Sequence, residues 1–170
     1  MDRILLIEDD AWMAQAMLAL VESWAIRAEH APSAEAGLAA LENESFDLVL
    51  TDIRMPGASG FDVLRQVKER WPRLPVILVT GHGDVADAVS AIKQGAFDYV
   101  IKPVDADSFE ATVRRALEHG RLRRENDFLR RELAAGSALG QRMIGRSPRM
   151  REVFDILDRV SVTDSTVLLV

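Results

Sequence analysis

Apolar residues along this chain follow two alternating patterns. Short, nearly pure aliphatic runs give way to longer stretches in which hydrophobic positions recur every three or four residues. Ile4-Leu5-Leu6-Ile7 is the first run, closed by Glu8-Asp9-Asp10. From Ala11 to Trp24, Trp12, Ala16, Leu20, Val21 and Trp24 keep helical spacing, with Asp10 placed as an N-cap. Residues 26–30 predict a weak strand near a sheet edge, and 33–41 a short Ala-rich helix capped by Ser33. Asp47 to Thr51 predicts a third strand. Phe61, Leu64, Val67 and Trp71 mark a helix that Pro72 stops. Val76 to Val79 predicts a fourth strand, 84–95 a helix with Val85, Ala88, Val89 and Ile92 on one side, and 97–101 a fifth strand. Asp105 or Asp107 then caps a last helix through Phe109, Val113, Ala116 and Leu117. Strands alternating with helices predict a doubly wound parallel α/β sheet, because parallel strands need helical crossovers. Aliphatic runs of this kind suit strands covered on both faces.

Beyond Leu117 the pattern changes. Arg121 to Arg131 is rich in Arg and Glu, and Leu122, Asn126, Leu129 and Leu133 are spaced four, three and four apart. Such spacing fits either a short coiled-coil seam whose Asn sets register or a solvated helical extension. Gly120 is expected to weaken the helix by about 1 kcal/mol relative to Ala. Residues 134–140 read as a flexible break, Ser147-Pro148 opens another helix (Met150, Val153, Phe154, Leu157, Val160), and 166–170 read as a strand that ends as if cut. The organisation expected is a globular domain over 1–120, a helical linker over 121–141 and a fragment of a further domain over 142–170.

The 170 residues allow one well-buried domain with an appendage. A net charge of -6 argues against a broad nucleic-acid surface. Absence of cysteine excludes disulfides, zinc-thiolate sites and thiol catalysis. No run is long enough to span a bilayer and no signal peptide is visible, so a cytoplasmic location without membrane association is expected.

The chemistry collects at strand ends. Glu8 and Asp9 follow the first strand, Asp52 the third, Thr80 the fourth and Lys102 the fifth. With strand order 2-1-3-4-5 the first and third strands are neighbours, and the C-terminal edge of such a sheet is where ligands bind. Carboxylates held together raise one another's pKa and cost stability unless a cation joins them. Acids without His or Cys offer hard oxygen ligands, which select Mg²⁺ or a similar ion, Mn²⁺ included. Asp52 can act as a nucleophile toward phosphorus, with Lys102 supplying positive charge and Thr80 a hydroxyl. Lys102-Pro103 is a candidate cis peptide that turns the lysine back toward the acids. Taken singly, each residue also has an ordinary reading: a helix cap, a turn residue or a solvated charge.

Jointly, Ile4 to Asp10, Thr51-Asp52-Ile53-Arg54-Met55-Pro56-Gly57, Val79-Thr80-Gly81-His82-Gly83 and Phe97 to Pro103 resemble the receiver domain of two-component response regulators over residues 1 to about 120. The resemblance implies a flavodoxin-like fold with Asp52 as phosphoacceptor. It also implies a metal held by Asp9, Asp52, the backbone carbonyl of Arg54 and, through water, Glu8. Asp9-Asp10 is an alternative acid pair; Glu8-Asp9 follows the aliphatic run directly and is preferred. Thr80 and Tyr99 would form the switch. His82, expected to be exposed, could tune loss of the phosphoryl group. Met143 to Val153 and Asp164 to Val170 resemble the opening of the AAA+ domain of sigma-54-dependent transcriptional activators, and residues 79–84 resemble the C4-dicarboxylate transport regulators among them.

These likenesses imply a sensor histidine kinase as partner, a homodimer formed through the receiver face and linker helix, and, in a longer protein, sigma-54 RNA polymerase and DNA. No G-x-x-x-x-G-K-[ST] stretch is present, so no ATPase is expected in this chain, only its own phosphoryl transfer and autodephosphorylation. Two rivals stand beside this reading. One is an Asp-nucleophile phosphatase, which Arg54 disfavours because a second Asp is usual there. The other is a dimerisation module indifferent to phosphorylation.

Overall fold

The computed structural model describes residues 2–81 and 85–136. In chain order the elements are β1 (Arg3–Ile7), α1 (Ala11–Ser23), β2 (Arg27–Ala31), α2 (Ala34–Asn43), β3 (Leu48–Asp52), α3 (Gly60–Arg70), β4 (Val76–Thr80), α4 (Val85–Lys93), β5 (Asp98–Ile101) and α5 (Ala106–Gly136). The strands form one parallel sheet in the order β2-β1-β3-β4-β5, as expected from the alternation. Residues 137–170, including the expected second helix and final strand, lie outside the described residues, as do His82 and Asp84.

Strand alternation divides the core into two layers. Leu5, Ile7, Val49, Val76 and Leu78 pack on one face with Leu41, Val63, Leu64 and Val67. Ile4, Leu6, Leu48, Leu50, Ile77 and Val79 pack on the other with Met17, Val21, Phe109 and Val113. Period-two side-chain alternation requires this parity once a strand is covered on both faces. Each inner strand is buried throughout β3 and β4, so a shift of one residue would exchange the two faces.

Local signals set most helix starts. Asp10 Oδ1 accepts from the amides of Trp12 and Met13 at 2.9 and 3.1 Å. Ser33 caps α2. Ser59 and Asp62 form a reciprocal capping box at α3. Asp105 accepts from the Ser108 amide, which resolves the choice between Asp105 and Asp107 at α5.

Three expectations need correction. Trp12 and Ala16 do not face the core: Trp12 is 85% exposed, and Ala14, Met17 and Val21 are the buried row of α1. Alanine, leucine and methionine surround this helix, so periodicity alone does not choose the face that meets the sheet. Val89 and Ile92 of α4 are likewise about half exposed, while Ala91 is fully buried. Finally, α5 continues through Gly120 and through Ala134 to Gly136 rather than breaking at 134. A Cβ at Gly120 would lie 3.4 Å from Pro75 Cδ and 3.6 Å from the Asp47 carbonyl oxygen, so the small residue sits where α5 runs close to the chain before β4.

Gly60 and Gly37 test the closeness of the packing. A Cβ on Gly60 would overlap the Asp52 carbonyl oxygen and lie 2.9 Å from Ile53 Cα, both backbone atoms. On Gly37 it would meet side-chain atoms of Ile7, namely Cδ1, Cγ1 and Cγ2. Gly60→Ala is therefore expected to destabilise by about 3 kcal/mol in urea unfolding, and Gly37→Ala by clearly less. Equal costs would contradict this account of the β3–α3 junction.

Candidate functional site

The C-terminal edge of the sheet carries the chemistry. Ile7 pairs in register with Thr51, Asp52 with Val79, and Thr80 with Ile101, so β1, β3, β4 and β5 end side by side. Glu8 follows β1, Asp52 is the last residue of β3, Thr80 is the last of β4, and Lys102 directly follows β5. The Lys102-Pro103 peptide is cis, as the sequence suggested.

Lys102 Nζ donates to Glu8 Oε2 and to Asp52 Oδ2, each at 2.6 Å. Glu8 is 1% exposed and Asp52 8%. Carboxylate oxygens of Glu8, Asp9 and Asp52 lie within 4.8 Å of one another. Asp9 is exposed. The amide of Arg54 donates to the second Asp52 oxygen at 3.0 Å, which orients the carboxylate in the turn after β3. Thr80 is fully buried, and its carbonyl accepts from the Lys102 amide at 2.7 Å. Tyr99 is half-buried on β5, packed against the core layer that holds α3.

Asp10 is spent on the α1 cap, so the acid pair facing Asp52 is Glu8-Asp9 rather than Asp9-Asp10. One contact was not anticipated: His30 Nε2 lies 2.7 Å from the Glu8 carbonyl oxygen and helps hold the β1 end. No sequence signal marks it, because β2 is a weak strand and the histidine is 22 residues away.

The electrostatics follow from burial. Burial raises the Glu8 pKa above its ordinary value, the charge of Asp52 acts in the same sense, and the Lys102 ammonium works against both. For Lys102, burial works to lower the pKa, but the hydrogen bonds it donates to Asp52 and Glu8 outweigh this and hold the ammonium above its ordinary value. One ammonium facing three carboxylates leaves excess negative charge in a set of hard oxygen donors. That donor set fits Mg²⁺ or Mn²⁺.

Residues 4–114 match the family described as response regulator receiver domain. The chain belongs to this family.

Among curated relatives, the receiver and its extension are 40% identical over 166 residues to the C4-dicarboxylate transport transcriptional regulatory protein DctD of Rhizobium meliloti. This alignment covers 98% of the chain and 36% of DctD. The DNA-binding transcriptional regulator NtrC of Salmonella typhimurium is 43% identical over 132 residues, or 78% of this chain and 27% of that one. The chain thus spans about a third or less of these relatives. The likeness to this group of activators, drawn first from residues 79–84, 143–153 and 164–170, is borne out.

Among solved structures, a response regulator receiver domain from Clostridium thermocellum superposes with a TM-score of 0.68 at 38% identity, covering 72% of this chain and 98% of that one. NtrX from Brucella abortus gives 0.71 at 31% identity, over 97% of this chain and 35% of NtrX. Among the described residues, no helix is long and apolar enough to cross a membrane.

Removing the lysine strands two buried acids. Lys102→Met should destabilise the receiver by about 3 kcal/mol at pH 7, because breaking a buried pair leaves uncompensated charge. The sign of the pH dependence follows from the raised pKa values. Glu8 contributes stability that is present below 4.5 and lost as pH rises through its higher folded value. Lys102 contributes stability that is present below 10.5 and lost only as pH rises through its folded value. The penalty of Lys102→Met should therefore shrink as pH falls from 7 toward 4.5, where Glu8 takes up its proton. Urea unfolding across that range measures it, and a flat penalty would contradict the pairing.

Proposed function

We propose that this receiver takes a phosphoryl group on Asp52 and converts it into a change in subunit association. The observation that carries the reading is the Lys102 ammonium held 2.6 Å from both Glu8 and Asp52, with Asp9 beside them, at a shared strand edge. An Asp52 oxygen attacks phosphorus; the new O–P bond forms as the bond to the donor breaks, and the donor leaves with that electron pair. For a phosphorylated histidine of a sensor kinase the leaving group is imidazole, and for acetyl phosphate it is acetate. Lys102 then places its charge against the phosphoryl oxygens, and Thr80 offers its hydroxyl. Asp9, Asp52, the Arg54 carbonyl and, through water, Glu8 would hold Mg²⁺ or Mn²⁺, which supplies charge neutralisation at the transferring phosphoryl oxygens when bound.

Thr80 and Tyr99 form the readout: inward movement of the threonine hydroxyl opens space that the ring enters, biasing a two-state element. Exposed Val89, Ile92 and Ile101 supply apolar area on the side bounded by α4 and β5. Leu122 and Leu129 of α5 are also about half exposed, and Asn126 lies between them in sequence. Their spacing continues to fit a dimer seam, of which the Leu133 side chain is outside the described residues. The organisation that suits this role is a receiver over 1–120, a linker over 121–141 and the start of an AAA+ domain over 142–170. In a longer cytoplasmic protein such an arrangement would govern a sigma-54-dependent activator, with polymerase and DNA as its downstream partners.

The exposed leucines favour one alternative, a dimerisation module indifferent to phosphorylation. Incubation with Mg²⁺ and acetyl phosphate, followed by intact mass and solution mass, separates the two. One phosphoryl group should be gained, absent from Asp52→Ala, together with a shift in oligomeric state. Phosphorylation without that shift removes the association step, and unmodified protein with constant dimerisation supports the alternative.

A further inference from the structure

A second site candidate lies at the opposite edge of the sheet. A cavity of about 370 Å³ opens beside the N-terminal ends of β4 and β5, where Pro75 and Phe97 enter those strands. Lys68 of α3, Arg73 of the α3–β4 turn, and His119 and Arg123 of α5 all line it, and no acidic residue does. In a chain of net charge -6 this is a local reversal of sign.

Lys68 is the unusual member. Its methylenes run past Gly95, where a Cβ would lie 3.8 Å from Cγ and 3.9 Å from Cδ and Cε. Its ammonium donates once, to the Leu74 carbonyl at 2.7 Å, and forms no ion pair with any carboxylate among the described residues. Two of its three donors therefore remain for another acceptor. Burial, reinforced by the nearby Arg123 charge, lowers its pKa to about 8. A half-buried cation beside further cations is an unfavourable arrangement that an anion would relieve. The wall also carries two aromatic rings, Phe97 and His119, whose centroids lie 5.3 Å apart with their planes tilted by 48°.

We propose that this cavity binds a phosphate dianion, with Lys68 and Arg123 as its principal ligands and Arg73 and His119 at its rim. The site is independent of Asp52 and lies at the other end of the strands from it. Binding favours the protonated amine, so it raises the Lys68 pKa and is tighter below pH 8 than above. Arg73, His119 and Arg123 are the other charged or titratable groups facing it.

The test is titration of the full chain with inorganic phosphate, without divalent cations, at constant ionic strength set by sodium chloride. Side-chain NMR of Lys68 and amide shifts of Gly95 and Phe97 report the site. Saturable shifts, an upward-moved Lys68 titration, and about tenfold weaker binding in Lys68→Met and in Arg123→Gln are expected. Arg123 is exposed, so its variant keeps the test valid if Lys68→Met fails to fold. Adenosine monophosphate serves as a second probe: tighter binding than phosphate assigns the site to phosphate esters using the aromatic wall, and equal binding assigns it to the free ion. Non-saturable shifts matched by chloride alone, or unchanged affinity in Arg123→Gln, would overturn the proposal.

Discussion

The ion pair joining Lys102 to Glu8 and Asp52 is the constraint on which the site depends. Its partners stand 94 and 50 residues apart in sequence and meet only because three strands end at one level. Ionised groups this buried are tolerated when each finds a partner of opposite charge with good geometry. Lys102 meets that requirement for two acids at once, and the Arg54 amide takes the remaining Asp52 oxygen. Negative charge is left over at Asp9, on the solvent side. A site held in this way is ordered yet electrostatically incomplete, which suits it to receive a cation and an anionic group together.

Register transmits this constraint through the fold. Buried β3 and β4 hold their pairing by burying alternate residues in the two core layers, so displacement of either strand would misplace Asp52 or Thr80 and expose aliphatic side chains. The close approach of Gly60 to the Asp52 carbonyl brings the start of α3 against the end of β3. The amide of Ile53 donates to the Val79 carbonyl, continuing the β3–β4 ladder past Asp52. Position at the edge is thus a property of the whole sheet, while orientation comes from a few bonds in the turns.

The two ends of the sheet differ in charge. The C-terminal edge gathers Glu8, Asp9 and Asp52 around one lysine, whereas lysine, arginines and histidine line the cavity at the N-terminal ends of β4 and β5, with Asp98 at the start of β5 paired to Arg115. Farther along the N-terminal side, Arg3 pairs with Glu29 and Glu44, and Asp47 with Arg124. Compensation is therefore ordinary elsewhere on that edge, which makes the unpaired Lys68 ammonium informative.

Local chemistry was legible before the structure. Runs such as Ile4–Ile7 and Val76–Val79 determine strands because β-structure buried on both faces accepts little else. Asp10 and Ser33 start helices because their side chains satisfy amides within three residues, while the choice between Asp105 and Asp107 for the last helix was left to the structure. Placement of acids, threonine and lysine after successive strands was readable too, since an alternating α/β chain returns every strand end to the same edge. Tertiary structure alone decided which helix faces meet the sheet, leaving Trp12 and Ile92 in solvent. It also decided that His30 reaches the Glu8 carbonyl and that Lys68 stands among cations. Periodicity states which residues share a face, but which neighbour that face meets depends on register and packing between segments far apart in the chain.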